Sequence, residues 1–100
     1  MIVRMERSGG FMGIPLRAEI DTLNLPTGEG EALRRQVEAA GFFDLPEKIA
    51  EKARGADRFQ YVLSVEDAGR SHSVSVGEAD APLALQSLIQ QVTQLAKANR

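Results

Sequence analysis

Cysteine is absent from this chain of 100 residues, and histidine occurs once, as His72. Without cysteine the chain has no disulfide, no thiolate nucleophile and no cysteine-based metal site. One histidine cannot form a conventional zinc site, and no serine stands on a nucleophile turn that would suggest a Ser-His-Asp triad. The carboxylate pair Glu66-Asp67 belongs to a tight turn, where acidic residues are common. The sequence therefore predicts a protein that is not an enzyme, with no catalytic residues, no metal site and no cofactor.

Long apolar runs and an excess of basic residues are also missing. No stretch approaches the roughly 20 apolar residues that cross a bilayer, and residues 1–7 alternate apolar and charged side chains, unlike a signal peptide. The formal net charge of −2 argues against a nucleic-acid partner. Small secreted domains often need disulfides, so we expect a cytoplasmic protein. The length fits a single domain over residues 1–100, and we expect a monomer with no membrane partner.

Four segments alternate apolar and polar residues with a period of two, which is typical of a strand that buries one face. They are residues 2–7, 16–21, 59–66 and 71–76. In the first segment, for example, Val3 and Met5 lie on one face, while Arg4 and Glu6 lie on the other. Such alternation predicts an antiparallel sheet with one buried face and one solvated face.

Two further segments show the helical spacing of apolar residues. The first begins at Pro26-Thr27 and ends before Gly41, and its apolar side carries Leu33, Val37 and Ala40. Its polar side includes the pair Arg34-Arg35, interpreted as part of a solvated face. The second begins near Asp80, which can cap it, with Pro82 in the first turn. Its apolar stripe is formed by Leu85, Leu88, Ile89, Val92, Leu95 and Ala96.

The order strand-strand-helix, strand-strand-helix predicts an α+β fold. We expect a four-stranded antiparallel sheet with two helices on one face, in the element order ββαββα. Phe42, Phe43 and Leu45 follow the first helix directly and are expected to close one end of the core. Residues 46–57 have a weak pattern and are expected to form a long connection. Asp67-Ala68-Gly69 is expected to be a short hairpin connection with Gly69 at a positive φ.

The connection between the first two strands has the most informative composition in the chain. It reads Arg7-Ser8-Gly9-Gly10-Phe11-Met12-Gly13-Ile14-Pro15. Three glycines allow sharp turns, yet large apolar side chains interrupt them in a segment that would normally face water. Two interpretations follow. Either the loop displays these side chains to a partner, or Phe11 and Ile14 fold back to cover the core.

Several motifs along the chain are similar to those of the emfourin-like proteins. The opening block Val3-x-Met5-Glu6-Arg7-Ser8-Gly9-Gly10-Phe11-Met12-Gly13-Ile14 contains the most specific of them, R-S-G-G-F-x-G-I. Matching segments follow in the same order at residues 37–46 (VEAAGFFDLP), 55–61 (GADRFQY) and 65–74 (VEDAGRSHSV). The chain departs from the pattern at Met12, where relatives commonly carry a smaller residue. Because methionine is unbranched and adaptable, we expect binding to survive this change.

The resemblance implies a small inhibitor of a thermolysin-like, protealysin-type zinc metallopeptidase. Such peptidases resemble one another in having an apolar pocket beside a zinc ion. We hypothesise that the glycine-rich loop enters this cleft, that Phe11 or Ile14 fills the pocket, and that Arg7 pairs with an acid on the rim. A solvated arginine at a strand end is the alternative for Arg7. The candidate protein-binding residues are Arg7, Ser8, Gly9, Gly10, Phe11, Met12, Gly13 and Ile14.

Two rival functions remain open at this point. The chain could be a protein-interaction or regulatory module that docks on a partner without inhibiting it. It could also be a small ligand-binding or enzymatic domain, which needs polar groups that converge in a pocket. For that function the sequence offers only dispersed candidates around His72 and Tyr61. His72 shares its face with Val74 and Val76, so we interpret it as a partly buried structural residue.

Overall fold

The computed structural model describes residues 1–9, 15–49 and 59–98, and every structural statement below concerns these residues. Four strands and two α-helices alternate in the order ββαββα, which confirms the α+β prediction. Short 3-10 turns link them at Thr22–Asn24, Phe42–Asp44 and Glu78–Asp80. The strands and helices are β1 (Ile2–Gly9), β2 (Leu16–Asp21), α1 (Thr27–Ala39), β3 (Phe59–Asp67), β4 (Arg70–Gly77) and α2 (Leu83–Ala98).

The sheet has the strand order β2-β1-β3-β4, and all neighbouring strands are antiparallel. β1 is therefore a central strand with a partner on each side. It continues to Gly9, whereas the sequence pattern had predicted its end at Arg7. The reason is its second partner, because Arg7, Ser8 and Gly9 lie opposite Tyr61, Gln60 and Phe59 of β3.

The core lies between one face of the sheet and the two helices, as predicted. Alternate side chains of the central strands are almost completely buried, for instance Val3 and Leu63, each 0% exposed. α2 packs against β2 and β1, and α1 packs against α2. The predicted helix stripes are confirmed at the residues that are buried, which are Leu33, Val37, Leu85, Leu88, Ile89 and Val92. Burial of these side chains supplies the main favourable term in folding.

The helix boundaries match the sequence signals at α1 and differ at α2. Gly41 has φ +58°, the left-handed conformation that was expected to end α1. α2 begins at Leu83, and the Gln86 amide donates its hydrogen bond to the Pro82 carbonyl at 2.9 Å. Asp80 lies in a separate 3-10 turn, Glu78–Asp80, so α2 begins at Leu83, beyond the predicted start near Asp80.

His72 fixes the segment that follows α1. Its Nε2 donates a hydrogen bond of 2.7 Å to the Leu45 carbonyl, and its ring meets Phe42 edge to face at 5.7 Å. Phe42 is 1% exposed, which confirms that it closes one end of the core. Just beyond Leu45, the Glu47 carbonyl accepts a bond of 2.7 Å from the Ser75 amide on the outer edge of β4. This bridge covers part of an otherwise open sheet edge.

Candidate functional site

Three chain segments enter or leave the sheet at the same end. Arg7 lies opposite Leu16 in the β1–β2 pair, and Gly9 lies opposite Phe59 in the β1–β3 pair. The end of β1, the start of β2 and the start of β3 are therefore neighbours, about 5 Å apart from strand to strand. We call this region, defined by Arg7, Gly9, Leu16 and Phe59, the loop end of the sheet. The opposite end, with the β3–β4 connection Ala68-Gly69, is the turn end.

The structure describes three of the eight predicted binding residues, and all three belong to β1. Arg7 is half-buried on the inner face, Ser8 is exposed on the outer face, and Gly9 is exposed with φ +81°. That φ is one that glycine adopts at little cost and other residues avoid. Gly10, Phe11, Met12, Gly13 and Ile14 lie outside the described residues. The two interpretations of Phe11 and Ile14 thus stay predictions.

Arg7 has an unusual environment for an arginine. Its guanidinium carbon lies 4.4 Å from the centre of the Phe59 ring, and Phe59 in turn meets Tyr61 edge to face at 6.5 Å. The Nε atom of Arg7 is buried and has no hydrogen-bond acceptor among the described residues. The side chain thus lies on the inner face over an aromatic ring, while its pairing with an acid on a cleft rim and the alternative of a solvated arginine both stay predictions.

Phe59 is the part of this region that sequence reasoning missed. In the structure, Arg7 lies on the same face of β1 as Val3 and Met5, and Phe59 lies on the same face of β3 as Tyr61. Only the pairing of β1 with β3 brings the two side chains together. That pairing joins residues about fifty positions apart, and alternation within each strand contains no information about it.

The outer face of the sheet carries a shallow groove with internally neutralised charges. Three ion pairs span neighbouring strands on this face, with N–O distances of 3.3 to 3.6 Å: Arg4–Glu66, Arg4–Glu19 and Arg17–Glu6. Val62 and Ser64 also line the groove. Because each arginine already has a carboxylate partner here, the groove offers no concentrated charge to a ligand.

The dispersed polar candidates for a ligand-binding or enzymatic site do not converge. His72 lies opposite Val65, and Tyr61 lies opposite Val76, so the two side chains are separated by four residue positions along the β3–β4 pair. His72 also uses its Nε2 on the Leu45 carbonyl. Over the described ranges, no group of three or more His, Asp or Glu side chains is arranged to hold a metal ion. Within the same ranges, none of the helices is long and apolar enough to span a membrane.

These observations define a small α+β domain with a stacked arginine and a glycine-rich connection at one end of its sheet. The emfourin family model matches residues 5–93, and the chain belongs to this family. The match includes the whole glycine-rich loop and both helices up to residue 93, and it confirms the resemblance seen in the motifs. Membership implies a general role as an inhibitor of metallopeptidases. No curated protein and no solved structure matches the chain.

Proposed function

We propose that this chain inhibits a thermolysin-like, protealysin-type zinc metallopeptidase by placing residues 7–14 in its active-site cleft. The observation that carries the proposal is the family match over residues 5–93, which includes every one of these residues. We further propose that the protein acts in the cytoplasm as a monomer. No catalytic group of its own is required, because blocking a cleft needs only affinity and shape.

The sheet supports the proposal by fixing both ends of the candidate loop. Residues up to Gly9 belong to β1, which has a partner strand on each side, and Leu16 begins β2. A loop whose ends are held in a sheet loses less conformational freedom on binding than a free segment does. Pro15, exposed at the start of β2, restricts the backbone further at the exit.

The side chains of the loop supply the contacts in this proposal. Phe11 or Ile14 occupies the apolar pocket of the peptidase, and a buried aromatic anchor of this kind can contribute about 2 kcal/mol or more. Backbone carbonyls near Gly9 and Gly10 approach the zinc ion, since glycine presents no side chain that would hold them away. The zinc ion belongs to the peptidase and not to this chain.

The experiment is a titration of a thermolysin-like peptidase with the wild-type chain and with Phe11→Ala and Ile14→Ala. Each variant should raise the inhibition constant about tenfold or more, equivalent to roughly 1.4 kcal/mol, with little change in melting temperature. Leu23→Ala is the matched control. Leu23 is an apolar side chain that is 86% exposed, and it follows β2 at the turn end of the sheet.

Three results would count against the proposal. Equal losses of stability and inhibition would mean that Phe11 and Ile14 cover the core and that the contact lies elsewhere. An effect of Leu23→Ala as large as that of Phe11→Ala would remove the assignment to the loop end. Co-purification of the wild-type chain with a peptidase that keeps full activity would favour the alternative of a docking module that does not inhibit.

A further inference from the structure

The Arg7 side chain has a buried hydrogen-bond donor without an acceptor among the described residues. Val3 and Met5 on the same face are apolar and buried in the core. Arg7 occupies the next inner-face position, half-buried, between Leu16 of β2 and Tyr61 of β3 in the register. Its Nε atom is shielded from water without a hydrogen bond to any described residue. Removing a charged donor from water without an acceptor costs free energy, so this atom calls for an explanation.

The Phe59 ring contacts the Arg7 guanidinium without forming a hydrogen bond to it. The guanidinium carbon lies over the ring, 4.4 Å from its centre, which is an attractive cation–π distance. The N–H donors of a guanidinium lie along the edges of its plane, and a contact between the guanidinium carbon and a ring uses none of them. Two parallel hydrogen bonds to a carboxylate use just such an edge, and this is the geometry that arginine provides and lysine does not.

No carboxylate of the described chain takes this position. Among the described residues, three other arginines form ion pairs with acidic side chains of this protein: Arg4 with Glu66, Arg17 with Glu6, and Arg34 with Asp67. Arg7 forms no such pair within the same part of the chain. Its nearest acidic neighbour in sequence, Glu6, points to the outer face and contacts Arg17.

We propose that Arg7, stacked on Phe59, is a preformed receptor for a carboxylate side chain of the target peptidase. This inference rests on the proposed function and adds a second component to the contact surface, contributed by the start of β3. Gly9 lies directly opposite Phe59 and is the last described residue before Gly10. A carboxylate that reaches Arg7 therefore approaches the same end of the sheet as the cleft that receives the loop.

The test compares Arg7→Met, which keeps the apolar stem, with Arg7→Lys, which keeps the charge but not the planar fork. Inhibition constants are measured at roughly 0.05 M and roughly 1 M salt, since high salt screens charge interactions. At low salt, Arg7→Met should weaken inhibition about tenfold or more, and Arg7→Lys should restore only part of the loss. The difference between wild type and Arg7→Met should shrink at high salt. Arg17→Met is the control, because Arg17 is 78% exposed on the outer face.

A second measurement keeps the inference testable if a variant is unstable. In the unmutated protein, the NMR signal of the Arg7 Nε–H group should shift when the peptidase is added, because a carboxylate bound at the guanidinium changes the surroundings of this group. An unchanged signal in an inhibited complex would overturn the inference. Arg7→Met that inhibits as strongly as wild type at both salt concentrations would overturn it as well, while the proposed function would stand. Failure of the wild-type chain to inhibit any thermolysin-like peptidase would overturn both.

Discussion

The β3–β4 connection holds an alanine in a conformation that alanine disfavours. Ala68 has φ +51° and Gly69 has φ +83°, so both central residues of this two-residue turn are left-handed. Such turns suit the twist of a hairpin, but they favour Asn-Gly over Ala-Gly. The substitution Ala68→Asn should therefore stabilise the protein. Ala68 is exposed, so the larger side chain displaces no packed neighbour.

The magnitude follows from the backbone penalty. A left-handed residue with a Cβ atom costs about 1–2 kcal/mol, and asparagine recovers part of this by local hydrogen bonding. We expect Ala68→Asn to raise the free energy of unfolding by about 1 kcal/mol. For a domain of this size, that corresponds to a rise in melting temperature of roughly 4–8 °C. Ala68→Gly should gain less, since glycine also makes the unfolded chain more flexible.

Thermal unfolding followed by circular dichroism measures the effect, with Ala68→Val as the opposite control. Valine is branched at Cβ and should destabilise the turn, because such residues are rarely found at positive φ. Inhibition should stay unchanged in all three variants, since Ala68 lies at the turn end of the sheet. A neutral or destabilising Ala68→Asn, or a valine tolerated as well as asparagine, would contradict a strained left-handed conformation at residue 68.

Two further substitutions test other parts of the fold by the same unfolding measurement. Gly41→Ala should lower the free energy of unfolding by about 1 kcal/mol, because φ is +58° at this position. No neighbouring atom lies within 4 Å of the added Cβ, so the penalty comes from the backbone alone. A neutral result would contradict the left-handed end of α1. His72→Phe keeps an aromatic ring beside Phe42 but removes the donor to the Leu45 carbonyl, so it should lower the free energy of unfolding by about 1 kcal/mol. An increase in stability would show that the hydrogen bond contributes nothing.

Local patterns were sufficient to predict the strands and the buried faces of the helices. Val3, Leu63 and Val92 were all placed in the core by their spacing, and each is 0% exposed. The reason is physical, because burial of apolar surface dominates folding, and the spacing of the apolar residues distinguishes a strand from a helix. The left-handed Gly41 and Gly69 were predictable for a similar reason, because few other residues take that conformation cheaply.

Features that depend on distant parts of the chain were not predictable from those patterns. β1 extends to Gly9 only because β3 pairs with it, and the stacking of Arg7 on Phe59 needs the same pairing. α2 begins at Leu83 and not near Asp80, because Asp80 lies in the 3-10 turn that precedes the helix. At the candidate site, the loop and its composition could be predicted from the sequence. The contact of Arg7 with Phe59 on the inner face depends on the pairing of β1 with β3.

The loop end of the sheet is the surface that we propose to contact a metallopeptidase. The most direct test is to record backbone amide NMR signals of the labelled chain while a catalytically inactive thermolysin-like peptidase is added. We predict that the signals of Ser8, Gly9 and Phe59 shift or broaden on binding, while those of Ala68 and Gly69 at the turn end do not. Changes confined to the turn end, or to the outer-face groove at Val62 and Ser64, would contradict this prediction.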